Sequence, residues 1–91
     1  MYTIRYTKAF TKDVKRCQKR GLDLGLLVKA VDILRVKGEL PKSYKAHKLN
    51  AQFNFCWECH LQPDWLLMWE QNDMELLLTF TGTGTHSDIF K

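Results

Sequence analysis

The chain has 91 residues, of which 45% are hydrophobic and three are Trp, a composition that suits one small domain with a single core. Its net charge of +4 is uneven, because residues 1–48 hold 13 Lys and Arg against four acids, whereas residues 49–91 hold one Lys against six acids. No segment reaches the roughly 18 apolar residues of a membrane span and no secretory signal is present, which favours one cytoplasmic domain over residues 1–91 without membrane contact.

The first half of the chain predicts one strand and two helices. Residues 2–6 alternate between apolar and polar, which is the period of a strand. Residues 8–20 show helical spacing of apolar residues beneath a basic outer face. Asp23 can cap a second helix that ends at Gly38. Residues 42–52 show neither period and are predicted to form an ordered loop.

The second half predicts three strands. Residues 53–61, 65–70 and 74–80 have a period of two and are separated by the turn sequences QPD and QND. Such short connections require antiparallel pairing, so the three strands form a meander. The expected fold is therefore α+β: a small, mostly antiparallel sheet in the order β-α-α-β-β-β, with the two N-terminal helices packed on one face.

Residues 56–60 read CWECH, which matches the C-x-x-C-H string of covalent haem attachment. On a strand, however, Cys56 and His60 point to one face and Cys59 to the other. The two sulfurs then lie roughly 10 Å apart on opposite sides, too far for one haem edge or one metal ion. We therefore expect packed, reduced cysteines instead of a haem, redox or metal site, and no cofactor.

The meander predicts a cluster of polar residues at one edge of the sheet. His60 closes one strand, Asp64 opens the next, and His86 follows the last, so these three side chains should meet. Glu58 shares the face of His60. His47 comes from the preceding loop, and the sequence does not show whether that loop reaches the site.

Histidines with carboxylates, and no Ser or Cys nucleophile beside them, suit general acid–base catalysis. RNA cleavage by attack of the adjacent 2′-OH needs this chemistry and no metal ion. The basic helix could hold phosphates through Lys12, Lys15 and Arg16. A base could stack on one of four aromatic residues: Trp57, Trp65, Trp69 or Phe90. Other interpretations of the same residues remain. The basic helix could be a solvated face, the histidines could be surface residues that only form hydrogen bonds, or the histidines and carboxylates could bind zinc.

Three spaced segments, KAHKL (45–49), ECHLQPDWLLMW (58–69) and GTHSDIF (84–90), together with the basic FTKDVKR helix, resemble the YafQ family of the RelE/ParE superfamily of bacterial type II toxins. The similarity runs from Tyr2 to Phe90. It implies a RelE-like fold and an mRNA endoribonuclease that acts in the ribosomal A site. It also implies a cognate DinJ-type antitoxin, with a monomeric free toxin and a hetero-oligomeric complex.

The resemblance also assigns roles to individual residues. It implies that His60 and His86 carry most of the proton transfer, that Asp64 orients or tunes one of them, and that His47 contacts substrate or assists. Phe90 falls on the family's C-terminal aromatic residue, and Glu58 on a position where the family usually has an acid.

The chain departs from several relatives at two positions. Trp57 and Gly82 stand where those relatives carry Arg, so two guanidinium groups that could stabilise the phosphorane are missing. The candidates to replace them are Lys45, Lys48 and Arg5, or positive charge from the ribosome. The alternative functions are a non-catalytic RNA- or ribosome-binding inhibitor of translation and a gyrase-directed toxin of the ParE branch.

Overall fold

A computed structural model describes residues 1–49 and 56–89, which form one five-stranded sheet and three α-helices. The elements in chain order are β1 Thr3–Tyr6, α1 Lys8–Lys19, α2 Leu24–Lys37, a short 3-10 helix Lys42–Tyr44, β2 His47–Lys48, β3 Cys56–Gln62, β4 Trp65–Asn72, β5 Leu77–Gly84 and α3 His86–Ile89. The strand order is β1-β5-β4-β3-β2. β1 is parallel to β5 and every other pair is antiparallel, which confirms the predicted fold class.

The core lies between the sheet and the first two helices. α1 contributes Phe10 and Cys17, and α2 contributes Leu27, Ala30 and Leu34. They pack against alternate residues of the strands, which are Cys59, Trp65, Leu67, Trp69, Leu78 and Phe80. Because alternate strand residues share a face, this list places both helices on the same side of the sheet. None of the helices in the described part of the chain is long and apolar enough to cross a membrane.

A buried polar pair joins β4 to β5. The indole Nε1 of Trp65 donates a hydrogen bond to Thr83 Oγ1 at 2.9 Å, and that hydroxyl donates to the carbonyl of Leu66 at 2.7 Å. Thr83 is completely buried, so its hydroxyl needs both partners. The pair ties the two strands together close to the point where β5 ends and α3 begins.

Two predicted segments differ from the structure. β5 covers residues 77–84 instead of 74–80, because Asn72 Oδ1 accepts hydrogen bonds from the backbone N–H groups of Met74 and Glu75 and forms a turn. The predicted loop 42–52 contains the 3-10 helix and β2. Residues 50–55, which include the start of the predicted strand 53–61, lie outside the described residues.

Gly38, the C-cap of α2, has φ of +73°, and a Cβ there would lie 2.6 Å from Tyr2 Oη. We predict that Gly38→Ala lowers the free energy of unfolding by about 2–3 kcal/mol, because Ala disfavours this backbone conformation and meets the Tyr2 ring. Gly21→Ala is the matched control: φ is +81° and no atom lies within 4 Å, so only the backbone penalty of about 1 kcal/mol should remain. Urea denaturation of both variants measures the difference, and equal losses would contradict the steric part.

Candidate active site

The candidate site lies on the face of the sheet that points away from α1 and α2. Cys59 belongs to the core, so its neighbours Glu58 and His60 point to the opposite face. Strand pairing then defines two adjacent rows of residues on that face. One row is His47, Glu58, Met68 and Gly82, and the next is His60, Leu66 and Gly84.

His60, Asp64 and His86 meet at one edge of this face, as the meander predicts. Asp64 Oδ1 lies 2.7 Å from His86 Nδ1 and also accepts the backbone N–H of His86 at 3.1 Å. The side-chain hydrogen bond from His86, followed by the backbone one, lowers the pKa of Asp64 below its usual value. The carboxylate acceptor requires a proton on Nδ1, so in the neutral ring Nε2 is the nitrogen without a proton.

The second histidine of this cluster stands beside the first. The ring centroids of His60 and His86 are 5.9 Å apart and the rings are tilted by 49°. His60 Nδ1 lies 3.3 Å from the carbonyl oxygen of Pro63, in the turn that carries Asp64. Two imidazoles at this separation can serve opposite ends of one scissile phosphodiester, one as base and the other as acid.

His47 and Glu58 form a second pair in the neighbouring row. β2 places His47 directly opposite Glu58 on β3, and His47 Nε2 lies 3.6 Å from Glu58 Oε1. The Glu58 side chain is only 6% exposed, and its Oε2 has no hydrogen-bond partner among the described residues. His47 is therefore on the same face as His60, which the sequence left undecided.

Cys56 and Cys59 do not act together in the structure. Cys59 is completely buried in the core, and burial, with a smaller effect of Glu58, raises the pKa of its thiol to about 12. Cys56 is partly exposed at the start of β3. A thiol with so high a pKa is a poor nucleophile and metal ligand, which agrees with the predicted packing role. In residues 1–49 and 56–89, no group of three or more His, Cys, Asp or Glu side chains could hold a metal ion.

The predicted substrate-binding cations are distributed over several surfaces. Lys45 lines a cleft of about 350 Å³ together with His60 and Ser43, so it lies beside the histidine cluster. Lys48 Nζ lies 5.7 Å from the ring centroid of Trp57. The guanidinium of Arg16 is paired with Asp13 at 2.9 Å.

The other predicted contacts are on α1, on β1 and at residue 90. Lys12 and Lys15 are exposed on α1, and Lys15 lines an apolar cleft beside Phe10 and Leu27. Arg5 is on β1, at the sheet edge opposite β2. Phe90 lies outside the described residues.

Beside the site, Arg20 and Asp88 form a contact that the sequence does not predict. Arg20 Nη1 donates to Asp88 Oδ2 at 2.6 Å, which links α1 to the helix of His86. The only local signal is the T-x-x-D sequence at residues 85–88, which resembles a helix-capping box.

Comparison with known proteins gives one consistent result. Residues 2–91 match the family described as "Bacterial toxin of type II toxin-antitoxin system, YafQ". The chain is 38% identical over 88 residues to the mRNA interferase toxin YafQ of Escherichia coli strain B/BL21-DE3, covering 96% of this chain and 94% of that toxin.

Two solved structures agree with this match. The crystal structure of YafQ from E. coli BL21(DE3) superimposes with a TM-score of 0.91 at 35% identity, covering 100% of both chains. A chain of the E. coli DinJ–YafQ complex gives a TM-score of 0.91 at 36% identity, again over 100% of both chains. The fold is therefore similar to that of solved YafQ toxins.

Proposed function

The chain belongs to the YafQ family of bacterial type II toxins, and from this premise we propose that it is an mRNA interferase that cleaves mRNA in the ribosomal A site. Cleavage there cuts the message at the codon that is being read and so inhibits protein synthesis. We further propose that the protein acts in the cytoplasm, where its substrate and the ribosome are found.

The single observation that carries the mechanism is the contact of Asp64 with His86 beside His60. One imidazole removes the proton of the 2′-OH, whose oxygen attacks the adjacent phosphorus. The other imidazole protonates the 5′ oxygen as the P–O bond breaks, leaving a 2′,3′-cyclic phosphate and a free 5′-OH. Asp64 holds the His86 ring in one tautomer and in one orientation.

Further residues are proposed to bind the RNA substrate. His47 and Glu58, which pair with each other one row from His60, are assigned to RNA binding. Lys45 lines the same cleft as His60. We propose that its ammonium group neutralises the phosphorane, because Trp57 and Gly82 stand where several relatives carry Arg. Phe90 is proposed to stack on a base, a role that rests on the resemblance alone.

The partner of this toxin is a DinJ-type antitoxin, and the two form a hetero-oligomer. We propose that the free toxin is a monomer. An acidic, amphipathic antitoxin segment would match the first half of the chain, where an apolar cleft of about 340 Å³ beside Phe10 and Leu27 adjoins the basic α1.

The proposed function is tested by translating a defined mRNA in a purified system and reading RNA ends by primer extension. New ends should appear only when toxin and ribosomes are both present. Adding the co-encoded antitoxin before the toxin should abolish them. Translation arrest with intact mRNA would instead identify a non-catalytic inhibitor of translation.

A further inference from the structure

His86 is carried by a very short helix with little stability of its own. α3 has only four residues, His86–Ile89, and isolated helices of this length do not persist in water. A reciprocal pair of hydrogen bonds closes its first turn. The backbone N–H of Thr85 donates to Asp88 Oδ2 at 3.0 Å, and the backbone N–H of Asp88 donates to Thr85 Oγ1 at 3.1 Å.

Asp88 is also anchored to a different part of the chain. Arg20, the C-cap of α1, donates to both of its carboxylate oxygens, from Nη1 to Oδ2 at 2.6 Å and from Nη2 to Oδ1 at 3.2 Å. The Asp88 side chain is 14% exposed and that of Arg20 is 44% exposed, so the contact is partly shielded from water. The hydrogen bond from Arg20 and the one from the Thr85 backbone hold the pKa of Asp88 well below its usual value.

Neighbouring residues of α1 support the same junction. Asp13 Oδ2 accepts the backbone N–H of Thr83 at 3.2 Å, and Arg16 Nη1 lies 3.8 Å from Asp88 Oδ2. Asp13, Arg16 and Arg20 are spaced i, i+3, i+7 and therefore lie on one face of the helix. This face holds the chain on both sides of residue 84, where β5 ends.

Gly84 explains how Asp88 can approach so closely. A Cβ at this position would lie 2.7 Å from Asp88 Oδ2 and 2.9 Å from Asp88 Cβ. Any side chain there would push Asp88 away from the strand end and disturb the contact with Arg20.

We propose, on the basis of the function proposed above, that Arg20 and Asp88 are positioning residues that fix the turn carrying His86 and so hold its imidazole against His60. Asp64 orients the ring from one side, while the Arg20–Asp88 contact fixes the backbone two residues further along the chain. Without Arg20 the capping turn can still form, but it loses its two-pronged attachment and keeps only the longer contact of Asp88 with Arg16.

The kinetic test compares Arg20→Ala, Arg20→Lys and Asp88→Ala with the parent protein. We expect the single-turnover cleavage rate on ribosome-bound mRNA to fall about tenfold in Arg20→Ala, because a displacement of about 1 Å in a reacting group can cost up to 100-fold. The concentration of ribosome-bound mRNA that gives half of the maximal rate should change by less than about twofold, because the contacts with substrate are kept. Lys at position 20 should give an intermediate rate, because it keeps the charge but loses the two-pronged contact.

The matched control is Asp32→Ala, which breaks the Arg35–Asp32 pair on α2 at 2.7 Å. This exposed pair joins two residues of α2 to each other and includes no residue of the junction, so its loss should leave the rate unchanged. The double variant Arg20→Ala/Asp88→Ala should cleave no more slowly than Asp88→Ala alone, because the two residues act through one contact.

A second readout does not require catalysis. Imidazole nitrogen NMR signals report the tautomer and surroundings of His86, and we expect them to shift or broaden in Arg20→Ala and Asp88→Ala but not in Asp32→Ala. Unchanged signals and rates in both junction variants would overturn the proposal. If the parent protein does not cleave mRNA, the proposed function fails, whereas the NMR comparison still decides whether Arg20 and Asp88 position His86.

Discussion

His86→Ala is expected to lower the rate of mRNA cleavage by about 100- to 10,000-fold, the usual contribution of a positioned acid or base. The His86 side chain is 53% exposed, so its removal should hardly change the free energy of unfolding. His60→Ala should have an effect of similar size. Because both imidazoles serve one transition state, the double variant should be far less impaired than the product of the two single effects.

Single-turnover cleavage on ribosome-bound mRNA measures these effects, and thermal unfolding checks the fold. Asp64→Asn is a graded control: it keeps an oxygen that can accept from His86 but loses the negative charge beside the ring. It should cleave faster than Asp64→Ala and more slowly than the parent. A His86→Ala protein that cleaves within about threefold of the parent would exclude a proton-transfer role for this residue.

The cluster of His60, Asp64 and His86 was predictable because it follows from local rules. Connections of two to four residues force antiparallel pairing, and pairing brings the end of one strand beside the start of the next. The same rules place Cys59 on the opposite face, in the core. Only short-range sequence information is needed for these conclusions.

The position of His47 could not be predicted, because it does not follow from short-range sequence rules. β2 has only two residues, too few to show a period, and it exists because His47 and Lys48 pair with β3. Likewise, the end of β5 reads TGTG, which suggests a turn by propensity. It is a strand in the structure because Gly82 pairs with Met68 and Gly84 with Leu66.

The contact between Arg20 and Asp88 is the clearest case of information that a single sequence does not display. The two residues are 68 positions apart, and either Arg16 or Arg20 could have met this carboxylate. The partner is selected by how α1 crosses the end of β5. That crossing is set by packing of Phe10 and Cys17 in the core.

Glu58→Met is expected to make the protein more stable and less active. Glu58 buries a carboxylate at 6% exposure, with Oε1 3.6 Å from His47 and Oε2 without a hydrogen-bond partner among the described residues. An unmet acceptor of this kind costs about 1–3 kcal/mol, whereas Met is apolar, similar in length and adaptable in shape. The free energy of unfolding should therefore rise by about 1–3 kcal/mol, as urea denaturation can measure.

The cleavage rate should fall at least about tenfold in the same variant, because His47 loses the only carboxylate that the described residues place beside it. Glu58→Gln separates charge from shape: it keeps an oxygen near His47 but removes the negative charge. If charge is what the site requires, Gln should impair cleavage nearly as much as Met. A Glu58→Met protein that is less stable and fully active would show that the carboxylate serves the fold. A Glu58→Met protein that is more stable and less active would mean that the sheet tolerates a destabilising buried acid because RNA cleavage needs it.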